Sequence, residues 1–551
     1  MSTRSNKSLN KTSSTLRTRV RNFLEAHSTL ETYTALRNIE RSVITLAKHR
    51  RSLVNIFNTR NSNQPLTSPQ TIQTPAEAHQ KTFRAIIALL ESSNIDWWSV
   101  DNHQFQTRGT LAISESSLPL LLKILKVTPE ITIYLKKNAL LPESLTKPTT
   151  LQTIRNEGSV RLQPQSIAGP EHMSSATSAA CDIEFWKLDG QDGLQAPRRN
   201  RAAEYIAGPA AELVPATRLN TKVRTPRAFL NRYVDDVTFP IDVVYTWVDG
   251  NDPQWLEKKR ATQNSENDLY HSEATHTARF ESKNELLYSL RSVHYYMPWV
   301  RHIYLVTDKQ IPSWLDTDNP GITVVDHRDI FTNQSNLPTY NSNAIISQIH
   351  HIDGLSDRFI YMNDDVFIGR PLTPQHFFFG SGIARVSPSK NTRPIIPASA
   401  KNEPHFNVTE NIREILCSTT GISVSKAIKH TPHPMIKSLL YDLEARYSDA
   451  YATTLGHPFR HHSDIVADQL HHYQSQISGK AVPGTLSYMY INIRDNAFSQ
   501  RLESLLRFRN YDAFCLNDAP VDATPMLDGA ISSFLSDYYP LSSKYEKRET
   551  E

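Results

Sequence analysis

The 551 residues are 39% hydrophobic and 21% charged, and 60 Lys and Arg stand against 56 Asp and Glu for a formal charge of +4. That balance argues against a whole-protein nucleic-acid binder, and no apolar run approaches the roughly 18 to 20 residues that a membrane-spanning helix needs. The length allows about three or four domains, while three cysteines without metal spacing (Cys181, Cys417 and Cys515) favour a reduced, cytoplasmic setting.

The first 60 residues carry twelve Lys or Arg against three Glu. Leu36, Ile39, Val43, Leu46, Leu53 and Phe57 recur mostly every three or four positions, which predicts a basic amphipathic helical arm over 1–60. Such an arm suits the anionic inner face of a membrane, or packing on its own catalytic domain or on a partner helix. The polar start, Met1 to Asn10, is not expected to be a secretory signal. A polar linker follows over 61–75, and then an accessory α+β module with its connection over 76–235. Within it Phe83 to Leu90 and Ser117 to Lys126 read as helices, and Trp97 to Val100 as a strand. Phe185-Trp186-Lys187 and Gly208-Pro209 read as irregular connection.

Beyond residue 236 the pattern changes. Ile241 to Thr246 is a short apolar strand that empties into a turn bearing Asp249 and Asp252. Leu286, Leu287, Leu290 and Val293 then mark a helix, and the runs ending at Asp308 and Asp326 mark two more strands. Phe359-Ile360-Tyr361-Met362 runs directly into Asn363-Asp364-Asp365, with Val366-Phe367-Ile368 after it. Paired carboxylates at a strand's C-terminal edge can hold Mg2+ or Mn2+ through hard oxygen ligands, with the cation's other positions open to substrate phosphates. A simple strand-ending turn also uses Asn and Asp. The element order predicts an α/β, Rossmann-like nucleotide-sugar transferase core over 236–525, with a C-terminal tail over 526–551. No glycine-rich phosphate loop is present. Charge neutralisation therefore falls to metal and basic side chains.

At these residues the chain resembles the Stealth family, which groups bacterial capsule and exopolysaccharide phosphotransferases with the animal lysosomal-enzyme N-acetylglucosamine-1-phosphotransferase. Four blocks carry the resemblance, in family order. They are Ile241 to Gly250, Arg279 to Arg370, Thr431 through Asp464, and Cys515-Leu516-Asn517-Asp518. The resemblance implies transfer of a sugar-1-phosphate from a nucleoside diphosphate sugar to a hydroxyl of a growing polysaccharide, with no nucleic acid involved. It implies catalytic roles for His457, Arg460, Asp249, Asp364 and Asp365, and metal ligation by Asp364, Asp365 and Asp518. Substrate binding falls on Trp247, Arg279, Asn284, Arg291, Asn341, Ser342, His433 and Asn517.

An imidazole suits acceptance of a hydroxyl proton near neutral pH, which favours His457 as general base over His433 between its two prolines. Arg279, Arg460 and Arg291 are candidate diphosphate clamps, because the guanidinium fork matches phosphate oxygens. His461, His462, His471 and His472 lack a structural-zinc pattern and are expected to face solvent. His350 and His351 are expected to divide between packed and polar faces. The same residues could serve a metal-dependent glycosyltransferase attacking at the sugar carbon, or a noncatalytic carbohydrate-binding or assembly protein. The expected location is cytoplasmic, with peripheral association at the inner membrane face as an option.

Overall fold

A computed structural model describes residues 74–101, 107–135, 138–164, 179–189, 193–265, 280, 284–402, 404–493, 495, 497–517 and 525–547. The basic arm and nearly all of the linker lie outside the described residues, as do Arg279 and Asp518. No helix among the described residues is long and apolar enough to cross a membrane.

The strands predicted at 241–246, 303–307, 322–326 and 359–362 assemble into one sheet. β1 (Ile241–Thr246), β2 (Ile303–Thr307), β3 (Ile322–Asp326) and β4 (Arg358–Asn363) run parallel in the order β3-β2-β1-β4. Parallel strands are covered on both faces and so read as unbroken apolar runs; Ile241 to Tyr245 and Phe359 to Met362 are all buried, Asp242 included. Its carboxylate is matched by the guanidinium of Arg301, Nε donating at 2.7 Å, and by the Ser356 N–H at 2.7 Å. The predicted helix forms over Glu285–Tyr296 and buries Leu286, Leu290 and Val293 against this sheet.

Chain order reverses between β1 and β4, whose last residues, Thr246 and Asn363, lie side by side. In an open α/β sheet this is the crevice where ligands bind. A turn at Asp364 and Asp365 then leads into β5 (Val366–Ile368). β6 (His433–Ile436) closes the main sheet antiparallel to β4, placing His433 opposite Tyr361. β7 (Tyr488–Asn492) and β8 (Ala513–Asn517) join β5 in a separate three-stranded sheet, with Cys515 opposite Val366.

Residues ahead of β1 form a second sheet with its own core, on which the helix Pro75–Ser92 buries Phe83, Ile86 and Leu90. Here one expectation is corrected. Phe185-Trp186-Lys187 is not irregular connection but part of the strand Cys181–Leu188, which lies between Thr110–Ser114 and Ser159–Pro164. The strand was hidden by Asp182 and Glu184, carboxylates in a buried run. They are tolerated because Arg161 donates to Asp182 at 2.8 Å, while Arg198 and the Trp186 indole donate to Glu184 at 2.6 and 2.8 Å.

The expected tail is also structured. A helix spans Pro525–Tyr538, and the buried Tyr538 and Tyr539 hydroxyls donate to the carbonyls of Gly369 and Ile368, each at 2.8 Å.

Candidate active site

The second and third sequence blocks meet through aromatic packing. Tyr340 stacks on Phe459 at 5.3 Å between centroids and meets the edge of Trp255, while its N–H donates to the Pro458 carbonyl at 2.8 Å. This fixes Asn341 at the start of the short helix Ser342–Ile346, where its side chain accepts from the Asn343 N–H. The Asn341 amide donates to Asp464 Oδ2 at 2.8 Å and to the His457 carbonyl at 3.2 Å. Asn341 is fully buried. Its side chain therefore orders the site's frame rather than a sugar, which corrects the expectation of substrate binding.

Asp464 is the hub of this frame. Its Oδ2 accepts from the amides of Asn341 and Asn343 and from the His461 N–H, and its Oδ1 lies 2.8 Å from His457 Nδ1. In a neutral imidazole, a carboxylate held this way favours the tautomer with its proton on Nδ1, in which Nε2 is the acceptor. Three residues along, Arg460 turns its guanidinium onto Ser342 Oγ, with Nε at 3.1 Å. Ser342 thereby positions the arginine. His461, at 4.2 Å from His457 between ring centroids, has its pKa lowered to about 4 by burial and by its two histidine neighbours.

At the strand-end turn, Asp364 and Asp365 are in opposite electrostatic states. Burial, with Glu285 and Asp365 adding like charge, pushes the Asp364 carboxyl well above the ordinary carboxylate range. For Asp365 burial acts in the same direction, but His430 overcomes it and holds the carboxyl below its ordinary value. His430 Nε2 lies 3.1 Å from Asp365 Oδ1, and Asp365 raises its pKa against the effect of burial. On the other oxygen, the Cys515 thiol donates to Asp365 Oδ2 at 3.2 Å, and Leu516 N–H donates to the Asp365 carbonyl at 3.1 Å. Asn517 also hydrogen-bonds the Asp365 side chain and accepts from the Tyr490 hydroxyl at 2.7 Å.

The atoms of Asp365, His430 and Cys515 that could ligate a cation lie within 4.8 Å of one another. Burial and the Asp365 charge push the Cys515 thiol well above its ordinary pKa, so it remains a protonated donor near neutral pH. The oxygens of Asp365, with crowded Asp364 beside it, are the donor set suited to a hard divalent cation.

A cavity of about 190 Å³ is lined among others by Asn363, at the end of β4, and by His430, Arg460 and Asp468. His433, which also lines it, is bonded on both nitrogens, Nδ1 at 2.7 Å from Asp468 Oδ2 and Nε2 at 2.9 Å from the Lys429 carbonyl. It is a wall of the site and has no nitrogen left for a substrate proton.

The remaining sequence candidates are spread more widely. Asp249 sits on the turn after β1, its N–H donating to Gln310 at 2.8 Å and its Oδ1 accepting from the Asn251 N–H. Trp247 packs on the core with its indole N–H buried and unmatched among the described residues. Asn284 begins the helix Glu285–Tyr296 in the left-handed region, φ +63. Arg291 is held elsewhere. Its guanidinium forks onto Glu546 at 2.9 and 2.6 Å and donates to the Tyr539 carbonyl at 2.9 Å, so it braces the C-terminal segment instead of a diphosphate.

The expected solvent-facing histidines are also corrected. His471 and His472 are fully buried in the helix Ala467–Ile477, where His471 Nε2 accepts from the Ile436 N–H at 2.9 Å. His350 is buried and His351 is partly exposed, as expected of a divided pair, and both contact one carboxylate oxygen of Glu444. His430, Asp464, Asp468 and Cys515 were given no role from sequence. The signal for Asp464 was a carboxylate seven residues after His457, with apolar Ile465 and Val466 directly behind it.

The molecule is thus an α/β protein whose polar centre is assembled at the ends of parallel strands from segments far apart in sequence. Three family models match it, described as Stealth protein conserved region 1 over residues 239–266, conserved region 2 over 279–386 and conserved region 3 over 429–473. The chain belongs to the Stealth family.

Among its relatives, the exopolysaccharide phosphotransferase SCO2592 of Streptomyces coelicolor is 35% identical over 86% of this chain and 51% of its own length. The exopolysaccharide phosphotransferase SCO6023 of the same organism is 40% identical over 70% of this chain and 66% of its own. The exopolysaccharide phosphotransferase CpsY of Mycobacterium leprae is 32% identical over 87% of this chain and 88% of its own. The chain therefore spans about half the length of the first of these and nearly all of the last. The galactosyltransferase LgtC, solved with donor and acceptor sugar analogues, matches over 54% of this chain and 96% of its own at 10% identity and a TM-score of 0.29, too slight a likeness to bear on the fold.

Proposed function

We propose that the chain transfers a sugar-1-phosphate from a nucleoside diphosphate sugar to a hydroxyl of a growing exopolysaccharide, releasing a nucleoside monophosphate. In this reading residues 236–525 act as the catalytic unit and 76–235 as an accessory module. The observation that carries it is the Asp464-held His457, three residues from an arginine that lines one cavity with His430 and with Asn363 at the end of β4. The names of the relatives add the reaction class.

His457 Nε2 takes the proton of the acceptor hydroxyl as its oxygen attacks the phosphorus bonded to the sugar, and the bond from that phosphorus to the departing nucleotide phosphate breaks. Arg460, set by Ser342, offers its fork to the phosphate oxygens. Asp364 and Asp365 would hold a divalent cation, Mg2+ or Mn2+, which neutralises charge on the diphosphate. Such a reaction asks a protein mainly to position reactants and stabilise charge.

Phosphorus NMR of the product tests this reading. A phosphodiester resonance should grow in proportion to released nucleoside monophosphate. A phosphate-free glycosidic product with stoichiometric nucleoside diphosphate would establish glycosyl transfer at carbon instead. Absence of turnover across a panel of sugar-nucleotide donors with divalent metal would favour a binding protein.

A further inference from the structure

Away from the strand-end centre, a cavity of about 270 Å³ is lined by residues of the second sheet, by the segment that leads into β1 and by Gln375. Its charged walls are Arg108, Arg201, Arg218, Asp101, Asp235 and Asp236. Two of the arginines are matched. Arg218 forks onto Asp101 at 2.6 and 2.8 Å, and Arg201 donates to Asp236.

Arg108 differs. Among the described residues its guanidinium has no hydrogen bond and no carboxylate within ion-pair distance, and its Nε is sealed from solvent without a partner. Burial pulls its pKa down, Asp182 attracts it, and Arg161, Arg198 and Arg370 repel it. Asp182 is already engaged by Arg161 at 2.8 Å and by Arg198 at 3.3 Å. A desolvated cation left in this state is costly unless something neutralises it, and the open side of this one faces a polar cavity.

We propose that this cavity is a second, noncatalytic site that takes a phosphorylated sugar, its phosphate on Arg108 and its hydroxyls on the carboxylate of Asp235. The guanidinium fork selects phosphate. The cavity exceeds one phosphate and has room for an attached ring, and Asp235, which lines it, offers acceptor oxygens. The choice of a sugar rests on the proposed function, in which the polymer carries sugar phosphates. The anion site itself does not depend on that reading.

The test is calorimetric titration of the full chain with glucose 1-phosphate, inorganic phosphate and glucose. The variants are Arg108→Gln, Arg108→Lys, Asp235→Asn and, as a control in the strand-end centre, Asp364→Asn. Arg108→Gln should weaken glucose 1-phosphate at least about tenfold, the scale of one charge-assisted hydrogen bond. Arg108→Lys should recover part of this, and Asp364→Asn, which acts at the strand-end centre, should leave the Arg108-dependent part of the binding in place. If Arg108→Gln does not fold, Asp235→Asn still decides the matter, because loss of that negative charge should tighten inorganic phosphate severalfold. Equal binding by parent and folded Arg108→Gln, no binding by the parent, or no response to Asp235→Asn would overturn the site. So would loss of binding in Asp364→Asn with retention in Arg108→Gln, which would place the phosphate in the strand-end centre. Failure of donor turnover with this pattern intact would count against the proposed reaction alone.

Discussion

Asp464→Asn is the sharpest probe of the proposed chemistry, because the hydrogen-bond pattern dictates how the new amide must sit. Three donors converge on Asp464 Oδ2: the Asn341 amide at 2.8 Å, the Asn343 amide at 3.2 Å and the His461 N–H at 2.9 Å. Only the amide oxygen can satisfy them, so the new NH2 group is forced towards His457 Nδ1. That nitrogen must then accept, the ring proton moves to Nε2, and the base loses the lone pair it needs. Each of the three bonds changes from charged to neutral acceptor at about 1 kcal/mol, so the variant should lose about 3 kcal/mol of stability. Turnover should fall by about 10²- to 10⁴-fold, the contribution of a positioned acid or base. Nucleoside monophosphate release against pH, with urea unfolding in parallel, measures both. A folded variant with turnover within about threefold of the parent would refute the assignment of His457 as base.

At the strand-end turn, Asp364→Asn and Asp365→Asn should each lower turnover at least about a hundredfold without unfolding the chain. Chelation should mimic them, and near-parental rates for both variants in metal-free buffer would remove the cation from the scheme. Arg460→Lys keeps its charge but loses the fork set by Ser342, so turnover should remain impaired; full activity would reduce Arg460 to a general positive charge. Acid should destabilise the fold through buried neutral histidines. Burial lowers His79 to about 4 and His471 to about 3, and it holds His472 well below its ordinary value. Such groups take up protons on unfolding below about pH 6.5, so their stabilisation is complete above that pH and declines as pH falls towards 4. Asp364 and Glu184 are shifted upward and act oppositely. Urea midpoints that hold steady or rise from pH 6.5 to 4.5 would contradict this.

Which parts were legible follows from where the information lies. β1, β2 and β4 were readable because a parallel strand covered on both faces must be apolar throughout, and a carboxylate after it marks the exposed end. The helix Glu285–Tyr296 was readable from its period. The strand at Cys181–Leu188 was not, because its buried carboxylates depend on Arg161 and on Arg198, which follows in a later segment. Arg291 looked like a phosphate ligand because its partner Glu546 stands 255 residues away. His471 and His472 were misassigned because imidazoles are often exposed, whereas these occupy the inward face of their helix. His457 and Arg460 stood out in their block, but the carboxylate that orients one and the hydroxyl that sets the other appear only once the second and third blocks are packed together.

The brace on the Asp364-Asp365 turn has a consequence in time. β5 pairs with β8, whose Cys515 and Leu516 hold the side chain and carbonyl of Asp365 across 150 residues of sequence. A ribosome that has released residues 1–440 has delivered every strand of the main sheet. At about 5 to 20 residues per second, a further interval on the order of ten seconds passes before β8 emerges. Through that interval the turn has neither its thiol nor its partner strand. Asp365 is therefore held only after β8 has paired, and folding of the main sheet cannot by itself produce a finished centre. Until β8 has emerged, the turn lacks the thiol and the partner strand that hold Asp365 in the finished fold.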